Sequence, residues 1–87
     1  MPTNDKPDET KVSMTKPDVI ALAQFRRSVN SRNAWDISDQ ASYNKGEKTW
    51  DVHRKDPTRG QVVIDTFHFS SEEVANIAIN HAKSMRI

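Results

Sequence analysis

The feature that most constrains the fold is an apolar segment near the C-terminal end that runs directly into a helix pattern. Residues 61–69 are rich in β-branched and aromatic side chains, which is typical of a strand. Ser70 follows, and Glu73 lies three residues later, which is the spacing of a capping box at a helix start. The apolar residues that follow recur at helical spacing and form one stripe, made of Val74, Ile77, Ala78, Ala82 and Met85. We therefore expect the chain to end in a strand and a packed C-terminal helix.

The size and composition of the chain set the number of domains. Its 87 residues are enough for one hydrophobic core but not for two. The hydrophobic fraction of 34% is low for a globular domain, so part of the chain must lie outside the core. Residues 1–16 are polar, and only Val12 and Met14 among them are candidates for burial. We expect residues 1–16 to form a disordered tail and residues 17–87 to form a single small domain.

Some features are absent from the sequence. The chain has no cysteine, which excludes disulfides and thiolate metal sites and fits a reducing compartment. It has no run of about 18 apolar residues, as a membrane span would need, and residues 1–16 lack the apolar region of a signal peptide. A cytoplasmic protein without a membrane anchor is the expected interpretation.

The first helix is predicted to run from Pro17 to Val29. Thr15 is a suitable cap for its first amide groups, and Pro17 and Asp18 both favour the N-terminal turn of a helix. Its apolar residues lie near one stripe, made of Val19, Leu22, Ala23 and Val29, with Phe25 at the edge. We expect this stripe to face the core.

The middle of the chain predicts a sheet. Residues 34–38 and 49–53 alternate polar and apolar side chains, and both contain Trp-Asp followed by a β-branched residue. Turn residues separate them at 43–46, and a stronger turn signal with a proline and a glycine lies at 56–60. With the strand at 61–69, these segments predict a three-stranded antiparallel meander between two helices. The expected class is α+β, with the order α-β-β-β-α.

This order resembles the fold of double-stranded RNA-binding domains over roughly residues 17–87. That family places a lysine-rich motif at the start of its second helix, where it meets phosphate groups. The corresponding positions here are Ser70, Ser71, Glu72 and Glu73, and the two acidic side chains would repel a nucleic-acid backbone. The resemblance implies the fold alone, so no functional residue is carried over from the family.

Residues that could carry out chemistry do not form a known motif. No two of His53, His68 and His81 have the spacing of a zinc site, and no Gly-x-Ser-x-Gly or phosphate-binding glycine loop occurs. Asp51 and Asp65 lie on neighbouring predicted strands and could serve acid–base chemistry only if they shared a buried face. We predict no cofactor, no metal site and no enzymatic activity.

Basic residues are concentrated in two places, although the formal net charge of the chain is only +1. Residues 45–59, the predicted hairpin, carry five basic and three acidic side chains. The C-terminal part of the first helix adds Arg26 and Arg27 with no acidic residue nearby. If both groups lay on one side of the molecule, they would form a phosphate-binding surface. A nucleic-acid-binding protein that uses Arg26, Arg27, Arg54, Lys55 and Arg59 is therefore the alternative hypothesis.

The strand at 61–69 is apolar on both faces. By simple alternation Val63, Phe67 and Phe69 share one face, while Val62 and Ile64 share the other. Helices on a single face would leave Val62 and Ile64 facing water. Three arrangements would cover them: helices on both faces, the apolar residues of the tail, or a partner surface such as a second copy of the chain.

The leading hypothesis is a small non-enzymatic interaction module, such as an adaptor, regulator or inhibitor. It would dock on a protein partner, or form a homodimer, through an apolar sheet face and basic loops. The expected partner-binding residues are Val62, Ile64, His53, Arg54, Lys55, Arg59, Arg26 and Arg27.

Overall fold

The computed structural model of the protein describes residues 12–86. Its elements in chain order are α1 (Lys16–Ser31), a 3-10 helix (Ala34–Asp36), β1 (Ser42–Asn44), β2 (Thr49–Asp56), a 3-10 helix (Pro57–Arg59), β3 (Val62–Phe69) and α2 (Glu72–Ser84). The predicted α+β class and the order α-β-β-β-α are confirmed. The prediction of disorder for residues 1–11 lies outside the described residues.

Side-chain caps fix the start of each helix. Thr15 and Asp18 form a reciprocal capping box on α1, in which Asp18 Oδ2 accepts the Thr15 N–H at 2.9 Å. α2 is capped by the hydroxyl of Ser71, one residue later than expected. The predicted capping box of Ser70 with Glu73 is wrong because the Ser70 side chain binds Asp18 instead.

The predicted strand at residues 34–38 is wrong. This segment begins with a 3-10 helix, and Trp35 is 63% exposed instead of facing the core. Asn33 Oδ1 accepts the Trp35 N–H at 2.9 Å, which turns the chain at the point where a strand would start. Two guanidinium groups also bind the backbone here. Arg54 donates to the Asn33 carbonyl, and Arg86 donates to the Ala34 carbonyl. The first strand of the sheet is instead β1.

The three strands form an antiparallel meander in the order β1-β2-β3, with β2 in the centre. The pairing of β2 with β3 shifts between Arg54, which pairs with Asp65, and Lys55, which pairs with Val63. Ile64 is the extra residue of this irregularity. Such an insertion shifts the alternation of side chains by one residue beyond it, so Val63 shares a face with Lys55.

Both helices pack on one face of the sheet, which rules out the arrangement with a helix on each face. α1 packs along β3, and the rings of Phe25 and Phe67 meet edge to face with centroids 5.1 Å apart. The α1 stripe is rotated from the prediction, because Val19 is 55% exposed and Asp18 is only 1% exposed. The buried hydrophobic residues are Leu22, Phe25, Val29, Ala34, Ile37, Val52, Phe67, Phe69, Val74, Ala75, Ile77, Ala78, Ile79 and Ala82.

The packed structure includes residues on the N-terminal side of residue 17, the predicted start of the domain. Val12 and Met14 are partly buried and pack against the core, and α1 starts at Lys16. These two side chains are therefore part of the packed structure.

A helix that spans a membrane would need about 20 predominantly apolar residues. Within residues 12–86, neither helix is long and apolar enough to cross a bilayer.

Candidate functional site

The most unusual surface is the end of the β2-β3 hairpin, here called the hairpin arm (residues 55–64). Val62, Val63 and Ile64 are 54%, 45% and 49% exposed. Val63 was expected to face inward with the phenylalanines of β3, but the register shift places it opposite Lys55 instead. Three consecutive β-branched aliphatic residues are thus exposed to solvent, and no part of residues 12–86 buries them.

The tip of the hairpin arm is built rigidly. Asp56 Oδ1 accepts the N–H of Thr58 at 2.9 Å and its hydroxyl at 2.7 Å. Gly60 adopts φ 70°, a left-handed conformation that glycine takes without strain. Gln61 follows in the same region with φ 66° and donates its N–H to the Asp56 carbonyl at 3.0 Å. These bonds hold Arg59, whose side chain is 77% exposed, at the end of the arm.

Arg54 is not a surface residue. Its side chain is 1% exposed and forms an ion pair with Asp36, while it donates to the Ser28 hydroxyl at 3.0 Å and the Asn33 carbonyl at 2.8 Å. Its Nε has no hydrogen-bond partner among the described atoms. Arg54 therefore joins β2 to α1 and the following loop, and it is not accessible to a partner in this structure.

The other basic residues of the predicted binding surface do not lie together in one site. Arg26 is half-buried, whereas Arg27 is exposed and lies with Arg32 in a cleft of about 270 Å³ beside β3. The cleft is lined by Gln24, Arg27, Ser28, Ser31, Arg32 and Asp65. Lys55 lines a different cleft of about 320 Å³, so the helix and hairpin cations do not share one pocket.

The cleft beside Lys55 contains an exposed tryptophan. The guanidinium of Arg86 lies 5.4 Å from the centroid of the Trp35 ring, within cation–π range. Arg86 also donates to the Ile37 carbonyl and to Asp39, both at 2.5 Å. The bond and charge of Arg86 lower the pKa of the Asp39 carboxyl. These contacts join Arg86 to the segment at residues 35–39, so its role is to hold that segment in place.

The sheet face opposite the helices carries a polar network that the sequence did not predict. Asp51 is only 3% exposed, and its carboxylate accepts from the Thr49 hydroxyl at 2.6 Å and the Asn44 amide at 2.9 Å. His68 Nδ1 lies 2.7 Å from the same carboxylate. The cross-strand pairing of Asp51 with His68 was the available signal, but it requires the register to be known.

The ionisation of Asp51 follows from this network. Burial pushes the pKa of the carboxyl upward, but the hydrogen bonds from Thr49, Asn44 and His68 outweigh it and leave the pKa below its ordinary value. Asp65 lies on the other face, opposite Arg54, so Asp51 and Asp65 form no carboxylate pair. His53 Nδ1 lies 3.1 Å from the Thr66 hydroxyl, in a separate contact.

Replacing Asp51 with asparagine is expected to lower the free energy of unfolding at neutral pH by about 1–3 kcal/mol. Because the folded-state pKa is depressed, this contribution is present above the unfolded-state pKa near 3.9 and is lost as the pH falls through the folded value. Urea denaturation at about pH 7 and at about pH 2 should show the difference between the two proteins shrinking at low pH. An unchanged difference would contradict the role of the carboxylate.

The described residues offer no group of three or more His, Cys, Asp or Glu side chains able to hold a metal ion. The surfaces that stand out are the apolar hairpin arm and the arginine cleft beside β3. Comparison with known proteins gives no template for either surface, because no family model, no curated protein and no solved structure matches the chain.

Proposed function

We propose that the protein is a small non-enzymatic interaction module that docks on a protein partner through the hairpin arm. The observation that carries the proposal is the exposure of Val62, Val63 and Ile64 in a row. Monomeric proteins rarely expose large contiguous apolar patches, and apolar patches rimmed by polar residues are typical of interaction sites. The core of the domain is complete without them, so they are available for a partner.

The surroundings of the apolar residues support this proposal. Lys55 and Arg59 border them and provide a charged rim, which is a common arrangement at protein interfaces. The hydrogen bonds of Asp56 hold the tip of the arm in one conformation. A preformed arm loses little conformational entropy on binding, which favours affinity.

The proposed mechanism is steric occupancy of a partner surface, as in an adaptor, regulator or inhibitor. The hairpin arm would place its aliphatic residues in an apolar groove of the partner, with Arg59 at the border. The absence of cysteine is consistent with action in the cytoplasm, which is part of the proposal.

Ile64→Lys tests the proposal, with Val19→Lys as the matched control. Both side chains are about half exposed, so neither substitution should change the melting temperature by more than a few degrees. Ile64→Lys is expected to weaken partner capture about tenfold or more, because it removes apolar burial from the interface. Val19→Lys should leave capture unchanged. The measurement is affinity purification from the lysate of the source organism, with and without nuclease treatment, quantified by mass spectrometry.

Two results would contradict the proposal: equal recovery of the same partner with Ile64→Lys, or no protein retained by the wild type. Loss of the bound material on nuclease treatment would favour the alternative function, a nucleic-acid-binding protein. The exposed Arg27 and Arg32 in one cleft support that alternative. The burial of Arg54 weakens it, because the hairpin then offers only Lys55 and Arg59 of the three cations that the hypothesis names there.

A further inference from the structure

β3 is a long edge strand. The sheet order is β1-β2-β3, and within residues 12–86 no strand pairs with the outer side of β3. Its eight residues exceed the usual strand length of about five or six. A long, apolar, unpaired edge is a template for another strand, and proteins normally protect such edges.

The pairing of His53 shows which groups of β3 face outward. The His53 carbonyl accepts the Ser38 N–H at 2.9 Å, and its N–H donates to the Ser38 hydroxyl at 3.3 Å. His53 therefore directs both backbone groups away from β3, so its partner Thr66 is in a non-hydrogen-bonded pair. The N–H and C=O of Thr66 point out of the sheet edge, and alternation gives His68 the same orientation.

Beyond the irregularity at Ile64, a side-chain bond protects the described part of the edge. Asp65 Oδ1 accepts the Thr66 N–H at 3.0 Å, which occupies the central outward donor with the side chain of the adjacent residue. Local bonds from a side chain to the backbone compete with the backbone bonds of a sheet. A strand that supplies a backbone acceptor to Thr66 would take the place of the Asp65 side chain.

α1 runs alongside this edge. Its first turn is tied to the end of β3, where Asp18 Oδ1 accepts the Ser70 N–H at 2.8 Å. Its middle packs Phe25 on Phe67, and its last turns form the cleft beside Asp65. A strand added to β3 would thus have the side chains of one face directed toward α1.

The charged residues on the side of α1 next to β3 indicate which side chains an added strand would carry there. Arg27 and Arg32 line the cleft, and neither forms an ion pair among the described residues. Asp65 is the one acidic residue that lines the cleft, so the two arginines leave one positive charge in excess. The cleft thus has an excess of positive charge that carboxylates at alternate positions of an added strand would neutralise.

We propose that the outer edge of β3 binds an extended acidic segment of a protein partner as a fourth strand, with its carboxylates paired to Arg27 and Arg32. This inference rests on the proposed function and names the chemistry of the partner. Backbone bonds to Thr66 and His68 would provide affinity, and the arginine cleft would select acidic side chains. A second copy of the chain fits less well, because a symmetric contact would bring four arginines against two copies of Asp65.

The probe is a synthetic peptide of about eight residues that alternates glutamate and valine, titrated into the full-length protein labelled with ¹⁵N. The amide resonances of Thr66 and His68 are expected to shift and to gain protection from hydrogen exchange. N-methylation of the peptide amides that face β3 should weaken binding about tenfold or more, whereas N-methylation of the opposite amides should not. A peptide in which lysine replaces glutamate should not bind.

Arg27→Glu is the matching change in the protein, with Lys45→Glu in the exposed turn between β1 and β2 as its control. Arg27→Glu should weaken binding of the glutamate peptide about tenfold, and Lys45→Glu should have little effect. Absence of binding, equal binding of the lysine peptide, or indifference to N-methylation would overturn the inference. A dimer detected by light scattering whose dissociation exposes Thr66 would also overturn it. None of these results would affect capture through Ile64, so the proposed function would then stand on its own test.

Discussion

Replacement of Arg54 with alanine is expected to lower the free energy of unfolding by about 3–5 kcal/mol, the usual cost of removing one partner of a buried ion pair. Arg54 is 1% exposed and binds Asp36, the Ser28 hydroxyl and the Asn33 carbonyl. The substitution would leave Asp36 without its cation and open a cavity between β2 and α1. For a domain of this size, the loss should lower the melting temperature by roughly 12–40 degrees.

The matched control is Arg59→Ala on the same hairpin. Arg59 is 77% exposed and makes one contact with Asp56, so its loss should change stability by less than about 0.5 kcal/mol. Arg54→Lys is a second variant, which keeps the charge but loses the planar fork that reaches three acceptors at once. It should fall between the wild type and Arg54→Ala. Urea denaturation measures all three, and equal stabilities for Arg54→Ala and Arg59→Ala would contradict the buried role of Arg54.

Replacement of Asp18 with alanine should have the second largest effect, a loss of about 2–4 kcal/mol from a helix cap and charge-assisted hydrogen bonds together. The Asp18 carboxylate accepts the Thr15 N–H at 2.9 Å, the Ser70 N–H at 2.8 Å and the Ser70 hydroxyl at 2.5 Å. It thus joins the start of α1 to the segment between β3 and α2. Without it, three donors would lose their acceptor.

The pH dependence of stability distinguishes the loss of the Asp18 carboxylate from the effect of an empty cavity. Burial raises the pKa of Asp18, but the bonds from Ser70 and Thr15 outweigh it and leave the pKa below its ordinary value. The contribution of the carboxylate is therefore present above the unfolded-state pKa near 3.9 and is lost as the pH falls through the folded value. The stability gap between wild type and Asp18→Ala should narrow in acid. A gap that stays constant would contradict the electrostatic explanation.

Asp39→Ala is the control for Asp18. Its pKa is also lowered, by Arg86, but its side chain is 73% exposed. Solvent screens such a pair, so its removal should leave the unfolding transition nearly unchanged at either pH.

The helices and the hairpin could be predicted from local signals. Thr15 with the residues after it marked the start of α1, and the proline and glycine at 56–60 marked the turn of the hairpin. Four of the five residues predicted for the apolar stripe of α2 are buried, but Met85 is 43% exposed, and the cap is Ser71 and not Ser70. These features depend on residues close together in sequence, which is why periodicity and capping patterns identify them.

The features that determine which residues are exposed depend on contacts between residues far apart in sequence. The segment at 34–38 alternates like a strand, but Arg54 binds the carbonyl of Asn33 just before it and Arg86 binds the carbonyl of Ala34, and the segment starts as a 3-10 helix. The outward position of Val63 depends on a register shift that one strand alone does not reveal. Arg54 looked like part of a basic surface because its partners Ser28 and Asp36 lie 26 and 18 residues away.

The arginine cleft illustrates the same limit. Arg27 was recognised as a candidate binding residue, but its neighbour Asp65 comes from β3. The outward orientation of Thr66 follows only from the bonds between His53 and Ser38. Sequence patterns therefore identified the charged residues, whereas the edge they flank became visible only in the assembled sheet.

Site-specific photo-crosslinking from position 64 tests the central claim most directly. A photoreactive amino acid placed at Ile64, or at Val19 as the equally exposed control, would be activated in living cells of the source organism. The hairpin-arm proposal predicts a discrete crosslinked protein band from position 64 that is absent from position 19. No band from position 64, or the same band from both positions, would contradict it.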